Sequence, residues 1–389
     1  MAKPKLALIP ATQGSKLYSV LPADGVGDFT FSRGSAATRI NKDGLIETVA
    51  SGVSRLNYPL IDGVVNGCPS HLLEPSRLQL IQYSEDFNNA NWVKLGQGVG
   101  STPIVTPNYA ISPDGTLNAS RLQCDLNGGN TTSDRSWIYQ SISTITGDNT
   151  FSLYVKNNSN EDITFSLTNG SSETVVILSD DKWHRLSTVR SGGGQPRIGL
   201  IGGGGASDNA DLLIYGAQVE QGSYPTSYIP NYGTSAGITR VAETANGAGD
   251  ASTFNDSEGV LMAEISALAD TAYMALGSDS NNRVMLGASN GNVRSYNKIG
   301  GTVIDFTSSI IASNNNKLAI KYKSGNTDFY INGVKVFESS TVFSASTPFD
   351  EIIFGNLIGG TQNFYGNTKQ IQYFDSALND SDLETITSW

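Results

Sequence analysis

The sequence predicts an all-β protein in which an extended N-terminal arm precedes two antiparallel β-sandwiches. Three observations carry that prediction. Ser, Thr, Asn and Gly dominate the composition, with 42 Gly, and only 16% of residues are charged. Apolar residues come in short runs separated by turn formers, the pattern of many short strands. Where those runs can be phased they alternate with period two, and helical periodicity is nearly absent.

At 389 residues there is room for two or three domains, each able to bury its own core. The formal charge of −11 argues against a nucleic-acid partner, because phosphate backbones are held by clustered Lys and Arg. No stretch approaches the roughly 20 apolar residues that span a bilayer, so no membrane insertion is expected. The basic start at Lys3 and Lys5 is cut short by Pro10 and lacks a cleavage signal. No signal peptide is therefore expected, and the chain is made in a cytoplasm. Cys68 and Cys124 belong to no CxxC pair and read as free thiols.

Taken in order, residues 1–78 carry the fewest large apolar side chains. Short strands and turns are expected there, with Asp43-Gly44 marking a hairpin. Such a segment is too thinly cored to stand alone, so it must lie against the chain's own second domain, a symmetry mate or a larger assembly. From 79 to 231 the alternation is clear. Phe151, Leu153 and Val155 face one way and Ser152, Tyr154 and Lys156 the other, and Ile163, Phe165 and Leu167 repeat the pattern. About eight strands at this spacing suggest a sandwich of jelly-roll type.

Residues 216–244 are the hinge of the organisation. Pro225 and Pro230, interleaved with Tyr224 and Tyr228, suit an extended exit from the first sandwich. Residues 232–248, rich in Asn, Gly, Thr, Ser and Ala, read as a linker. The second sandwich, 249–389, contains Asn332-Gly333, a type I′ hairpin signal. One helix is expected over residues 381–387, capped by Asn379 or Asp380, with Asp382 and Glu384 near its positive end.

The stretches FSRGSAATRINKDGLIE (31–47), SEDFNNANW (84–92), SPDGT (112–116) and GAQVEQGSY (216–224) resemble recurring blocks of tailed-bacteriophage virion proteins, particularly fibre and appendage proteins. The middle region is similar to their carbohydrate-binding-module-like jelly rolls. FYINGV (329–334) with QYFDSALNDSDL (372–383) resembles a laminin-G or concanavalin-A-like lectin domain. The resemblance implies a structural virion component of head or tail, oligomeric with a trimer favoured, attached to other virion proteins through the N-terminal arm. It also implies contact with bacterial surface glycan.

Glycan-binding sandwiches use exposed aromatic rings that stack on sugars, with amides and carboxylates nearby for the hydroxyls. Trp137 and Tyr139 share a strand face, and with Tyr154 they form a candidate platform; the same rings would equally serve a core or an oligomer interface. In the second sandwich Asp279, Asn281 and Asn282 form an oxygen-rich loop of the kind that holds calcium, or an ordinary turn. Tyr296 and Tyr365 are candidates for the same rim. Catalysis is not expected: His71 and His184 are the only histidines, and Asp180 and Asp181, adjacent on a strand, would face opposite sides. Two alternatives stay open, a virion-borne polysaccharide depolymerase using carboxylates from facing strands and a purely architectural decoration protein.

Overall fold

A computed structural model describes residues 3–61, 63–142, 146–168, 174–177, 180, 182–203, 205–357 and 362–389. Nearly every element is a strand paired antiparallel, and the two sandwiches expected from the sequence are present.

The first sandwich packs two five-stranded sheets. One runs Val93–Gln97, Arg135–Tyr139, Arg197–Ile201, Ile163–Thr168, Thr174–Ile177; the other Ile104–Ile111, Leu117–Asp125, Asn209–Gln221, Asp148–Asn157, His184–Ser191. The side chains phased inward by the period-two pattern are the ones that meet between the sheets. Phe151, Leu153, Val155, Phe165 and Leu167 are fully buried together with Ile138, Ile198, Leu200 and Ile214.

The second sandwich faces a five-stranded sheet, centred on Asn282–Ser289, with a wide sheet of eleven strands. Asn332 and Gly333 both take positive φ, as a type I′ turn demands. The helix Asp380–Thr387 is capped by Asn379, whose side chain accepts from the Asp382 amide.

The leading segment departs from the expectation of an extended arm. It supplies five strands of the wide sheet: Leu6–Gln13, Lys16–Leu21, Phe29–Ser32, Leu56–Asn57 and Ser70–Leu73. Leu6 to Leu8 pair with Ile371 to Tyr373, and His71 to Leu73 pair with the start of that same strand. Leu6, Leu8, Leu17, Phe29, Phe31 and Leu73 are buried in the core of the second sandwich. The physical reason is the one that ruled out independence: these few large side chains cannot enclose themselves, and the strand Gly366–Phe374 would otherwise leave an open edge. Of the three supports considered for this segment, its own second domain is the one used.

The connector 232–248 is likewise built in and is no loose linker. Ile238–Arg240 pairs with Arg77–Gln79, and Thr244–Asn246 pairs with Phe29–Ser32. Around it lies a buried network of charges. Glu243 accepts from Arg33 Nη1 at 2.7 Å, from Arg55 Nε at 2.9 Å and from the Glu74 amide at 2.8 Å. Glu74 in turn meets Arg55 Nη2 and Arg240 Nη1, both at 2.8 Å, and accepts from the Ser227 amide at 2.7 Å. Burial alone would work against ionisation of Glu74, but Arg240 and Arg55 prevail and hold its pKa down at about 2. Leading segment, connector and the exit from the first sandwich are thereby joined by charge pairs out of reach of water.

Candidate functional site

On the sheet that starts at Val93–Gln97, the residues facing away from the core form a continuous row. Register places Leu95, Trp137 and Gly199 side by side, with Val93, Tyr139 and Arg197 on one flank and Gln97, Arg135 and Ile201 on the other. Arg135 and Arg197 both turn onto the Trp137 ring, their guanidinium carbons 5.0 Å and 4.8 Å from its centroid. A guanidinium near an aromatic face is attracted by the ring quadrupole.

Gly199 makes this arrangement possible. Its φ is +148°, and a Cβ there would lie 2.4 Å from the Ser136 carbonyl oxygen and 2.5 Å from Trp137 Cα. Only glycine lets the two strands approach with the indole over the gap. Gly199→Val is expected to destabilise the protein by about 2–4 kcal/mol through backbone strain and overpacking. Denaturant unfolding checks it, and a change under about 1 kcal/mol would mean the strand can shift freely.

Arg135 donates from Nε to the Thr132 carbonyl and from Nη1 to Gln97 Oε1, both at 3.0 Å; Arg197 donates from Nε to the Gln195 carbonyl at 3.3 Å. Neither guanidinium has a carboxylate partner among the described residues. Burial, and then the like charges of Arg135 and Arg190, lower the pKa of Arg197. Trp137 is only 3% exposed, so the ring expected to stack on sugar instead serves as a floor for two cations. Its Nε1 is buried without a hydrogen-bond partner. Tyr139, half-buried, keeps the position expected of it.

Tyr154 does not join this platform. Its strand pairs with His184–Ser191 and Asn209–Gln221 in the opposite sheet. There it lines a cavity of about 180 Å³ between the sandwiches and the leading segment, with Arg39, Asn57, Arg185, Tyr228 and Asn367. The neighbouring strand assumed from sequence order is across the sandwich because the chain crosses from one sheet to the other between Arg135–Tyr139 and Asp148–Asn157.

In the second sandwich Tyr296 lies between Arg283 and Arg294, at 5.4 Å and 5.1 Å, and packs with Tyr273 and Met285. Tyr365 packs on the main core, its hydroxyl 3.4 Å from Asn363 Nδ2. Asp279, Asn281 and Asn282 form the turn at the end of the hairpin whose register sets Asp279 opposite Asn282. Tyr296 is opposite Met285, three residues along the strand, so it stands about 10 Å from that turn. Asp279 accepts from the Asn281 amide at 2.6 Å, from Asn282 Nδ2 at 3.0 Å and from the Thr347 hydroxyl at 2.8 Å. The Asn282 side-chain oxygen Oδ1 accepts from the backbone amides of Gly300 and Ser346. Among the described residues no group of three His, Cys, Asp or Glu side chains is placed to hold a metal ion.

Of the residues weighed for catalysis, His71 is fully buried and His184 pairs with Asp180 at 2.9 Å; Asp181 lies outside the described residues. A half-open cleft of about 600 Å³ at one end of the first sandwich is lined by Asp125, Glu161, Asp162, Asp208 and Asp211, with Ile104. Asp211 there grips Arg121 through two bonds, and Asp208 and Asp125 accept from backbone amides.

Sequence reasoning missed Arg135, Arg197 and Gly199. The spacing of Arg135 from Trp137, two residues on one strand, was a usable signal. The contribution of Arg197 was not, because it depends on a register between strands distant in sequence.

No protein-family model matches the chain, and no curated protein matches it. Solved structures are similar at low overall scores. The CBM40 of the Ruminococcus gnavus IT-sialidase, bound to alpha2,3 sialyllactose, has 16% identity and a TM-score of 0.32, over 36% of this chain and 88% of its own. Domain 4 of AbnA, a GH43 extracellular arabinanase from Geobacillus stearothermophilus, has 16% identity and a TM-score of 0.31, over 38% of this chain and 73% of its own. Domains LG4-5 of the mouse laminin alpha1 chain have 13% identity and a TM-score of 0.26, over 75% of this chain and 92% of theirs. What those proteins bind is a property of theirs alone.

Proposed function

We propose that this chain is an adhesive structural component of a tailed-phage particle that contacts surface glycan and performs no reaction of its own. The virion assignment is supported by the blocks at 31–47, 84–92 and 216–224. The observation that carries glycan contact is the row on the first sandwich. There Tyr139 is in register with Arg197, and across Trp137 lie Arg135 and the Gln97 amide, the two guanidiniums with N–H donors left over, on a sheet face turned from the core. Attachment to the particle then uses the outward side of the leading segment, where Ile9, Tyr18 and Val20 are exposed. Copies arranged as a homo-oligomer, a trimer by preference, let weak contacts add by avidity.

The acid-lined cleft favours a second reading, polysaccharide depolymerisation. A glycan array probed with multivalently displayed protein, together with a reducing-end assay on host capsule, separates the two. The expected result is binding that weakens at least about fivefold in Tyr139→Ala, with no new reducing ends, a single stacked ring contributing on the order of 1 kcal/mol. A blank array sinks glycan contact and leaves an architectural protein. New reducing ends that disappear in Glu161→Gln or Asp208→Asn establish the enzyme.

A further inference from the structure

Resting on the reading of glycan contact, we infer that the face carrying Trp137 selects acidic polysaccharide, with Arg135 and Arg197 gripping the anionic groups of successive sugars. The chain as a whole is acidic, at −11, so two unneutralised guanidiniums placed together run against its own charge balance. Arg121 pairs with Asp211, Arg294 with Asp305 and Arg39 with Glu47, while Arg185 sits singly over Tyr154 and Arg283 shares the Tyr296 ring with the paired Arg294. Only here do two guanidiniums share one ring with no carboxylate against either among the described residues. Among the described residues Arg135 and Arg197 have only backbone carbonyls, one amide oxygen and the indole between them.

Holding two like charges on one ring is costly unless a counter-charge arrives, and each guanidinium retains N–H groups that match a carboxylate or sulfate in a two-pronged geometry. The indole fixes where they sit. The two guanidinium carbons lie 5.0 Å and 4.8 Å from its ring centroid, one reaching it from each flank. Tyr139, in register with Arg197 and on the side of it away from Arg135, offers a ring edge to the sugar next along from the one Arg197 grips. Beyond Arg197 the surface continues into a shallow groove of about 370 Å³ lined by Ser141, Gly193, Gly194 and Gln195, which gives an extended chain room to run on. The ligand class is therefore a polyanionic glycan, its charge carried by uronate, sialate or sulfate.

The test uses the full-length protein and affinity electrophoresis in gels containing polygalacturonate, polysialic acid or dextran sulfate. Fully methyl-esterified polygalacturonan and dextran serve as uncharged counterparts, and duplex DNA as a non-glycan polyanion. At least one acidic polysaccharide is expected to retard the protein tenfold or more above its uncharged counterpart. That retardation should fall steeply with added salt and drop at least tenfold in Arg135→Gln/Arg197→Gln. Arg197→Lys, which keeps the charge and loses the fork, should fall in between while melting as the wild type does. The three acidic gels distinguish the source of the anion. Equal retardation by acidic and neutral forms overturns acid selection but leaves glycan contact standing. No retardation by any polysaccharide overturns both. Retardation by DNA as strong as by the best polysaccharide, or an unchanged double variant, overturns the assignment to this face.

Discussion

Replacing Glu243 by alanine is expected to destabilise the protein by about 3–5 kcal/mol, the cost of stranding buried charges whose partner has gone. Glu243 receives Arg33, Arg55 and the Glu74 amide, and the side chains on both sides of these pairs are inaccessible to solvent. With the carboxylate removed, Arg33 loses its counter-charge and Arg55 keeps only Glu74, already shared with Arg240, and neither guanidinium can regain water without opening the seam. Urea unfolding should show a lower midpoint at an unchanged slope. Lys42→Ala, which breaks the exposed pair with Asp43, should change stability by less than about 0.5 kcal/mol. A shift below about 1 kcal/mol for Glu243→Ala would show that the seam is hydrated in solution. The strands of the leading segment should also become accessible to protease first, since the network is what ties them to the exit from the first sandwich.

The second large effect is on acid stability. His71 lies between Phe31 and Phe354, with ring centroids 6.1 Å and 6.0 Å away, and neither ring nitrogen has a hydrogen-bond partner. Burial, reinforced by the charge of Arg55, lowers its pKa from 6.5 to about 3. The sign follows from proton counting: between those values the unfolded chain binds a proton that the native protein does not, so stability falls as pH falls. From pH 6.5 to 4.5 the loss should reach about 2 kcal/mol, since the unfolded imidazole is half protonated at pH 6.5 and the full slope of about 1.4 kcal/mol per pH unit applies only further down. Below pH 4.5 Glu74 adds to it, because its native pKa is depressed and its contribution is lost as pH falls toward 2. His71→Leu should remove the upper part of this slope and leave the lower. Measuring unfolding free energy at half-unit steps checks both, and an unchanged slope in the variant would show that His71 takes up its proton in the native state.

Both effects arise where the leading segment meets the rest of the protein, a place the sequence described only by what it lacked. Its shortage of large apolar side chains showed that residues 1–78 need support. It did not show that Leu6 would pair with Tyr373, nor that Arg33 would meet Glu243 from 210 positions away. A charged residue in a local window looks the same whether it will be solvated or buried, because burial is decided by elements that arrive from elsewhere. The same limit applied to the candidate site. Trp137 and Tyr139 were correctly assigned to one strand face, yet their relation to Tyr154 was not, since Arg135–Tyr139 and Asp148–Asn157, though consecutive in the chain, belong to opposite sheets.

By itself the sequence determined the local geometry: period-two strands, the Asn332-Gly333 turn, the capped helix after Asn379 and the inward row of Phe151, Leu153 and Val155. Each depends on steric and hydrogen-bonding preferences that act within a few residues. Only the tertiary structure decided that the first segment completes the last sandwich, that five charges are sealed at the seam, and that two arginines share one indole. Those outcomes depend on register and burial between segments hundreds of residues apart, where the governing energies are long-range pairing and desolvation.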